Sequence, residues 1–133
     1  MLLADAAQES QGKLYILGGG WSVTSSPTGP MSLAIKFDVP WDRTNIEHDW
    51  TLRLLSEDGY LVQIEETPIG VDGQLHVARP DNVPAGTAVD AAVTVSFGPL
   101  PLEPGRFEWR LEIDGTTAAC PFTVRDSPSL PLN

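Results

Sequence analysis

Cysteine, histidine and basic side chains are scarce in this sequence of 133 residues. Because Cys120 is the single cysteine, no internal disulfide can form, which excludes the disulfide framework of small secreted domains. Eight Lys and Arg stand against 18 Asp and Glu, so the net charge is −10. So acidic a chain lacks the basic stripe with which proteins bind nucleic-acid phosphates or anionic membrane surfaces. We therefore expect neither nucleic acid nor a membrane as a partner.

Long apolar runs are lacking as well. No stretch approaches the roughly 18–20 apolar residues that a transmembrane helix needs. The first residues, Met1–Ala7, contain no basic side chain, and Asp5 interrupts the apolar run that a secretory signal would require. Together with the single cysteine, this predicts a cytoplasmic protein.

What the sequence does have is a strict alternation of apolar and polar residues. The clearest example is Arg106–Ile113, where Phe, Trp, Leu and Ile alternate with Arg and Glu. Successive side chains of a strand point to opposite faces, so each such run predicts a strand with one buried and one solvated face. The pattern predicts about nine strands, near 2–7, 13–18, 31–39, 49–56, 60–67, 74–79, 89–97, 106–113 and 117–124.

Turn-forming pairs separate these runs. Asp58-Gly59, Asp72-Gly73 and Asp114-Gly115 fit the two-residue type I′ turn, in which both residues have a positive φ. Gln11-Gly12 is a looser example of the same kind. We therefore expect a hairpin at each of these pairs.

Many short strands with such turns indicate an all-β fold. We expect an immunoglobulin-like antiparallel β-sandwich, with a small closed barrel as the alternative. One helical turn is predicted at 41–47, where Pro40 suits a helix start. The prediction is a single domain over 1–125 and a loose C-terminal tail at 126–133.

No catalytic or cofactor-binding signature stands out. Gly18–Gly20 follows a predicted strand, but its spacing fits no dinucleotide-binding or phosphate-binding loop, and a bend before Trp21 is the simpler interpretation. Cys120 falls on the buried face of its strand, where apolar surroundings make a thiol inert. Neither His48 nor His76 has a recognisable orienting partner. We therefore predict no catalytic residue, no cofactor and no enzymatic activity.

Acidic side chains gather around one predicted connection between the sheets. Oxygen-rich loops of this kind hold Ca²⁺ in some proteins. No calcium-loop spacing is present, however, and one of these carboxylates is equally suited to capping the following turn. We expect no resident metal; the weak candidates are Asp38, Asp42, Glu47 and Asp49, with His48 in the same stretch.

The four tryptophans divide into two kinds. Trp50 and Trp109 fall on predicted core faces, whereas Trp21 and Trp41 fall near loops. A tryptophan at a loop either closes the end of a sandwich or forms a contact surface. Both interpretations stay open at this point, so Trp21 and Trp41 are the candidate binding surface.

The first predicted hairpin, Leu2–Gly18, carries apolar side chains in both phases of Leu14–Leu17. One sheet cannot bury both phases, so a loop or a second subunit has to cover one of them. An edge strand of this kind also invites pairing with another chain. We expect a homodimer with two-fold symmetry, the commonest closed form.

Two stretches of the chain resemble a known family. Leu3–Gln8 and Gly12–Trp21 open the chain, and Leu102–Trp109, Ile113–Gly115 and Pro121–Val124 close it. These stretches are similar to the start and the end of an uncharacterised family of small bacterial β-sandwich proteins. The resemblance implies a cytosolic β-sandwich with no assigned activity, and it carries over no functional residues.

Two functional hypotheses follow. The first is a non-enzymatic interaction or assembly domain of unknown protein partner, which we expect to self-associate. The second is a small-ligand or carbohydrate-binding module that uses the loop tryptophans, Trp21 and Trp41, as stacking surfaces. A sandwich scaffold hosts both kinds of function, so the fold alone does not choose between them.

Overall fold

The alternating segments of the chain become strands. In a computed structural model of the protein, which describes residues 1–127, eleven strands and one 3-10 turn account for the regular structure. They are β1 (Leu2–Ser10), β2 (Lys13–Gly19), β3 (Val23–Ser25), β4 (Met31–Val39), the 3-10 turn η1 (Trp41–Arg43), β5 (Glu47–Ser56), β6 (Gln63–Ile64), β7 (Thr67–Pro68), β8 (Gly70–His76), β9 (Val89–Phe97), β10 (Gly105–Ile113) and β11 (Thr116–Arg125).

The strands form two main sheets. The first has the order β2-β1-β4-β9 and the second the order β3-β11-β10-β5-β8, while β6 and β7 pair as a separate ribbon. Neighbours pair antiparallel except β3, which runs parallel to β11. The first sheet is curled like a half-barrel, because both β1 and β2 approach β9 without pairing to it. The all-β class is thus confirmed, and an immunoglobulin-like arrangement stays a prediction.

One hydrophobic core lies between the sheets. Its members come from both layers and run from Leu3 near the start of the chain to Val124 near the end of β11. At its centre Trp109 of β10 is fully buried and stacks on Phe97 of β9, with 4.5 Å between ring centroids. Trp50 is buried as well. The predicted core phases of Trp50 and Trp109 are therefore confirmed.

Three of the four predicted turns occur. Gln11-Gly12 and Asp114-Gly115 have a positive φ at both residues, as a type I′ turn requires. Asp58-Gly59 lies in a turn with a positive φ at Gly59, whose N–H donates to Ser56 O. The predicted turn at Asp72-Gly73 is wrong.

Asp72-Gly73 lies inside β8, opposite Thr51 and Trp50 of β5. A Cβ at Gly73 would overlap the indole ring of Trp50, so this glycine serves close packing rather than a turn. The hairpin turn lies instead at Glu65-Glu66, between β6 and β7, and both residues have a positive φ.

The number of strands also differs from the prediction: the structure has eleven strands in residues 1–127, whereas the sequence pattern predicts about nine. Two predicted strands, 60–67 and 74–79, are replaced by β6, β7 and β8, because the chain turns at Glu65-Glu66 and not at Asp72-Gly73. The short β3 has too few residues for an alternation to show. The predicted helical turn is confirmed at Trp41–Arg43 but is shorter than 41–47. Most of the predicted loose tail, 128–133, lies outside the described residues.

Among residues 1–127, no helix is long and apolar enough to cross a membrane.

Removing the central aromatic stack tests the core. We expect Trp109→Ala to lower the free energy of unfolding by about 3–5 kcal/mol, the usual cost of deleting a buried large aromatic side chain. Tyr60→Ala, at a side chain that is 74% exposed, is the matched control and should change stability by less than about 0.5 kcal/mol. Urea denaturation measures both. Equal midpoints for the two variants would contradict the assigned core.

The packing of Trp50 on Gly73 gives a second test. Gly73→Ala should lower the free energy of unfolding by about 1–3 kcal/mol, because the added methyl group overpacks the contact with Trp50. Gly98→Ala is the control, since a Cβ there would meet no atom within 4 Å. Thermal unfolding of the two variants distinguishes them. A harmless Gly73→Ala would show that β8 does not pack under Trp50.

Candidate functional site

A buried histidine joins three segments of the chain at one end of the two sheets. The Nδ1 atom of His48, in β5, lies 2.5 Å from the Oδ2 atom of Asp114, which is in the β10–β11 turn. Its Nε2 lies 2.8 Å from the backbone oxygen of Arg43, the last residue of η1. The Arg43 guanidinium in turn lies 3.2 Å from the same Asp114 oxygen. We call His48, Asp114 and Arg43 the histidine clamp.

Local structure explains how each member reaches the clamp. His48 is in phase with Trp50 and Leu52 on β5, so its ring points into the interior, where it is 4% exposed. Asp114 is the first residue of the type I′ turn, and its positive φ aims the short side chain back at the sheet end. Arg43 follows Pro40, which starts the 3-10 turn.

The electrostatics of the clamp favour a charged aspartate. Desolvation acts to raise the pKa of the Asp114 carboxyl, but the hydrogen bonds from Arg43 and His48 outweigh it and hold that pKa below its usual value. Each ring nitrogen of His48 faces an acceptor oxygen, one on Asp114 and one on Arg43. The clamp is therefore a compact set of opposite charges at the end of the core.

The geometry of the clamp suits a structural role better than proton transfer. A carboxylate on Nδ1 is the arrangement that orients a catalytic histidine. In catalysis, however, the second ring nitrogen must face a substrate or nucleophile. Here Nε2 is occupied by the Arg43 carbonyl oxygen. The clamp thus ties η1, β5 and the β10–β11 turn together.

An open cavity lies beside the clamp, between the two sheets. Its volume is about 520 Å³, which falls within the range of small-molecule sites. We call it the interlayer cleft. It is lined by β4 on one side and by β5, β8, β10 and β11 on the other, with Pro40 and Arg43 at its end. Its walls are mainly apolar and its rim is charged.

The predicted metal candidates do not form a metal site. Asp38 lies 3.4 Å from Lys36, and the hydrogen bond with Asp90 and the charge of Asp38 raise the pKa of Lys36. Asp49 accepts a hydrogen bond from Gln74, and its neighbour His48 belongs to the clamp. Asp42 and Glu47 are exposed, the former in η1 and the latter at the start of β5. Within the part of the chain that the structure describes, no three His, Cys, Asp or Glu residues are arranged to hold a metal ion.

The two loop tryptophans pack against different parts of the structure. Trp21 packs edge-on against Phe122, and its indole N–H is buried. Trp41 lies under the guanidinium of Arg79, which is 3.9 Å from the ring centroid and also donates to the Trp41 backbone oxygen. Both contacts are of the kind that closes the end of a sandwich.

The remaining candidates have structural surroundings. Cys120 is half-buried against the core, and this burial raises the pKa of its thiol. Gly18 and Gly20 have positive φ values, and the Gly20 N–H donates to Leu3 O across the hairpin. The glycine run therefore ends β2, as the sequence predicted.

The β1–β2 hairpin carries exposed apolar side chains. Among residues 1–127, β1 pairs with β4 only over Leu2–Ala4, and its remainder pairs only with β2. In β2, Tyr15 is 57% and Leu17 is 72% exposed, and Ile16 is exposed as well. We call this hairpin, β1 with β2, the hairpin arm.

Comparison with known proteins shows which family the chain belongs to. A family model described as a family of unknown function, DUF6941, matches residues 1–125 and so covers both sheets. The chain belongs to the DUF6941 family. No curated protein and no solved structure matches it. The expected membership of a family of unknown function is thereby confirmed, and DUF6941 assigns no residue of the clamp, the cleft or the arm.

The clamp of this DUF6941 member has no local signature in the sequence, for a physical reason. His48 lies one residue before the predicted strand 49–56, and the observed β5 begins at Glu47, so His48 falls in phase with Trp50. Asp114 was interpreted only through its turn chemistry, and it lies 66 residues from His48. No sequence pattern near either residue indicates that the two side chains meet. They meet because β5 pairs with β10.

A test of the clamp uses the charge of Asp114. Asp114→Asn keeps the turn, since Asn also tolerates a positive φ, but removes the carboxylate from His48 and Arg43. Because the folded pKa of Asp114 is lowered, its stabilisation is present above its unfolded pKa of about 3.9 and is lost as the pH falls through the folded value. We expect a melting temperature several degrees below the parent at pH 7 and a smaller difference at pH 3.

The control is Asp49→Asn, which changes an exposed carboxylate on the opposite face of β5. It should have little effect at either pH. If Asp114→Asn lowers the melting temperature equally at both pH values, the clamp does not depend on the carboxylate charge.

Proposed function

We propose that the chain is a non-enzymatic interaction domain that self-associates through the hairpin arm. The observation that carries this proposal is the exposure of Tyr15, Ile16 and Leu17 on one free edge strand. A two-stranded hairpin on its own is at best marginally stable in water. A third strand would complete the part of the arm that extends beyond β4.

The four edges of the two main sheets differ in their protection. β3 has three residues. β8 carries Asp72, which is held by Arg53 at 2.6 Å, and β9 carries Asp90, which is paired with Lys36. Charges and short length discourage edge pairing. β2 has seven residues, and its one charge, Lys13, is at its first position, so β2 is the least protected edge.

Two-fold pairing suits the composition of β2. If two copies of β2 pair antiparallel about Ile16, Tyr15 of one copy faces Leu17 of the other, and the interface is complementary to itself. The net charge of −10 opposes association at long range. The exposed segment Tyr15–Leu17 contains no acidic residue, so the electrostatic repulsion is not concentrated at this contact.

The test is the mass of the particle in solution. Light scattering after size exclusion at about 100 μM should give a dimer for the parent, in the concentration range of weak non-obligate pairs. Tyr15→Glu and Leu17→Glu should give folded monomers, because each places a charge in the apolar contact. Tyr60→Glu and Leu61→Glu, at exposed apolar residues outside the arm, should stay dimeric.

Two outcomes would refute the proposal. One is a parent that is monomeric at this concentration. The other is a dimer that persists in Tyr15→Glu and Leu17→Glu. Circular dichroism checks that each variant is folded.

The alternative, a small-ligand or carbohydrate-binding module, stays a prediction for Trp21 and Trp41. Trp21 contacts Phe122, whereas Trp41 contacts Arg79. The two rings therefore pack against different residues, and a sugar that stacks on either would have to displace a different contact. A cytoplasmic location also remains part of the proposal, and it rests on the single cysteine.

A further inference from the structure

The interlayer cleft exists because the core-facing side chains of β11 become smaller towards one end of the strand. The residues of β11 that face the core are Val124, Phe122, Cys120, Ala118 and Thr116, in order towards the cleft. Phe122 and Val124 fill the space between the sheets and are buried. Cys120, Ala118 and Thr116 are too small to do the same, so the space stays open at this end.

The walls of the cleft are apolar. Ile35, Phe37 and Val39 of β4 face Leu75 of β8 and Leu111 of β10 across it. Water inside such a cleft finds few hydrogen-bonding partners along these walls. An apolar molecule that displaces this water gains free energy through the hydrophobic effect.

The charges on the rim are paired with one another. Arg43 and Asp114, which both line the end of the cleft, lie 3.2 Å apart. A charged ligand would have to break this pair or enter without a partner, and an unpaired charge in an apolar site is costly. The rim therefore favours an uncharged ligand.

We propose that the interlayer cleft binds a neutral, mainly apolar small molecule. The volume of about 520 Å³ accommodates an aromatic or branched aliphatic compound with two or three rings or their equivalent. The histidine clamp holds the end of the cleft in place, because it joins η1 and the β10–β11 turn to β5. The site is separate from the hairpin arm and does not depend on self-association.

The test uses N-phenyl-1-naphthylamine, a neutral apolar dye whose fluorescence rises in an apolar site. We expect saturable binding with one site per chain. The sulfonated analogue 1-anilinonaphthalene-8-sulfonate has similar rings and a negative charge, and it should bind about tenfold more weakly or worse. Tighter binding of the sulfonate would overturn the neutral ligand class.

Filling the cleft locates the dye. Ala118→Phe and Thr116→Phe place a ring in the cleft and should each weaken dye binding by about tenfold or more. Their neighbours Ala119 and Thr117 point to the other face of β11, so Ala119→Phe and Thr117→Phe are the matched controls and should bind as the parent does. Melting curves confirm that each variant is folded. If Ala118→Phe does not fold, Thr116→Phe alone tests the cleft, because Thr116 is exposed and tolerates the larger side chain better.

Leu17→Glu separates this site from the arm, which also offers apolar surface. Dye binding that survives Ala118→Phe and Thr116→Phe but is lost in Leu17→Glu would assign the dye to the arm and refute the cleft. Absence of saturable binding to the parent would refute it as well. Neither result bears on the dimer, which is measured by mass.

Discussion

The stack of Trp109 on Phe97 is the contact on which the two layers depend. Phe97 ends β9 in the first sheet, and Trp109 lies in the middle of β10 in the second. Large aromatic side chains provide much of the buried apolar area of a core, and stacked rings add to it. Because the sheets share one core, this contact joins the two layers near its centre. β5 and β11 flank β10, so both lie directly beside the stack.

Away from this stack the packing becomes less complete in two directions. Towards η1, the small residues of β11 leave the interlayer cleft, and the histidine clamp replaces apolar packing with paired charges. A buried polar group is tolerated when its hydrogen bonds are satisfied. His48 meets this condition through Asp114 and Arg43. The clamp therefore closes the end of the core without filling it.

In the other direction the first sheet loses its neighbours. β1 leaves β4 after Ala4 and continues with β2 as its partner. The curl of the sheet brings the arm near β9, yet Tyr15 and Leu17 remain exposed. The two incomplete regions differ in chemistry: the cleft is concave and apolar with a charged rim, and the arm is a projecting edge. Each therefore fits a different kind of occupant.

The sequence by itself determined the strands and their buried faces. Alternation depends on the two-residue period of a strand, so it correctly predicted the buried phases of Trp50 and Trp109. It also placed the first hairpin at an edge with apolar residues in both phases. For β4, β9, β10 and β11 the predicted bounds differ from the observed ones by two residues at most.

Only the tertiary structure decided the role of residues whose partners are distant in the chain. Asp72-Gly73 has the chemistry of a turn, but the ring of Trp50 across the sheet requires a residue without a side chain there. His48 and Asp114 meet because β5 and β10 pair, and their 66-residue separation leaves no local trace. Local chemistry determines what a segment can form, whereas strand pairing determines which side chains meet.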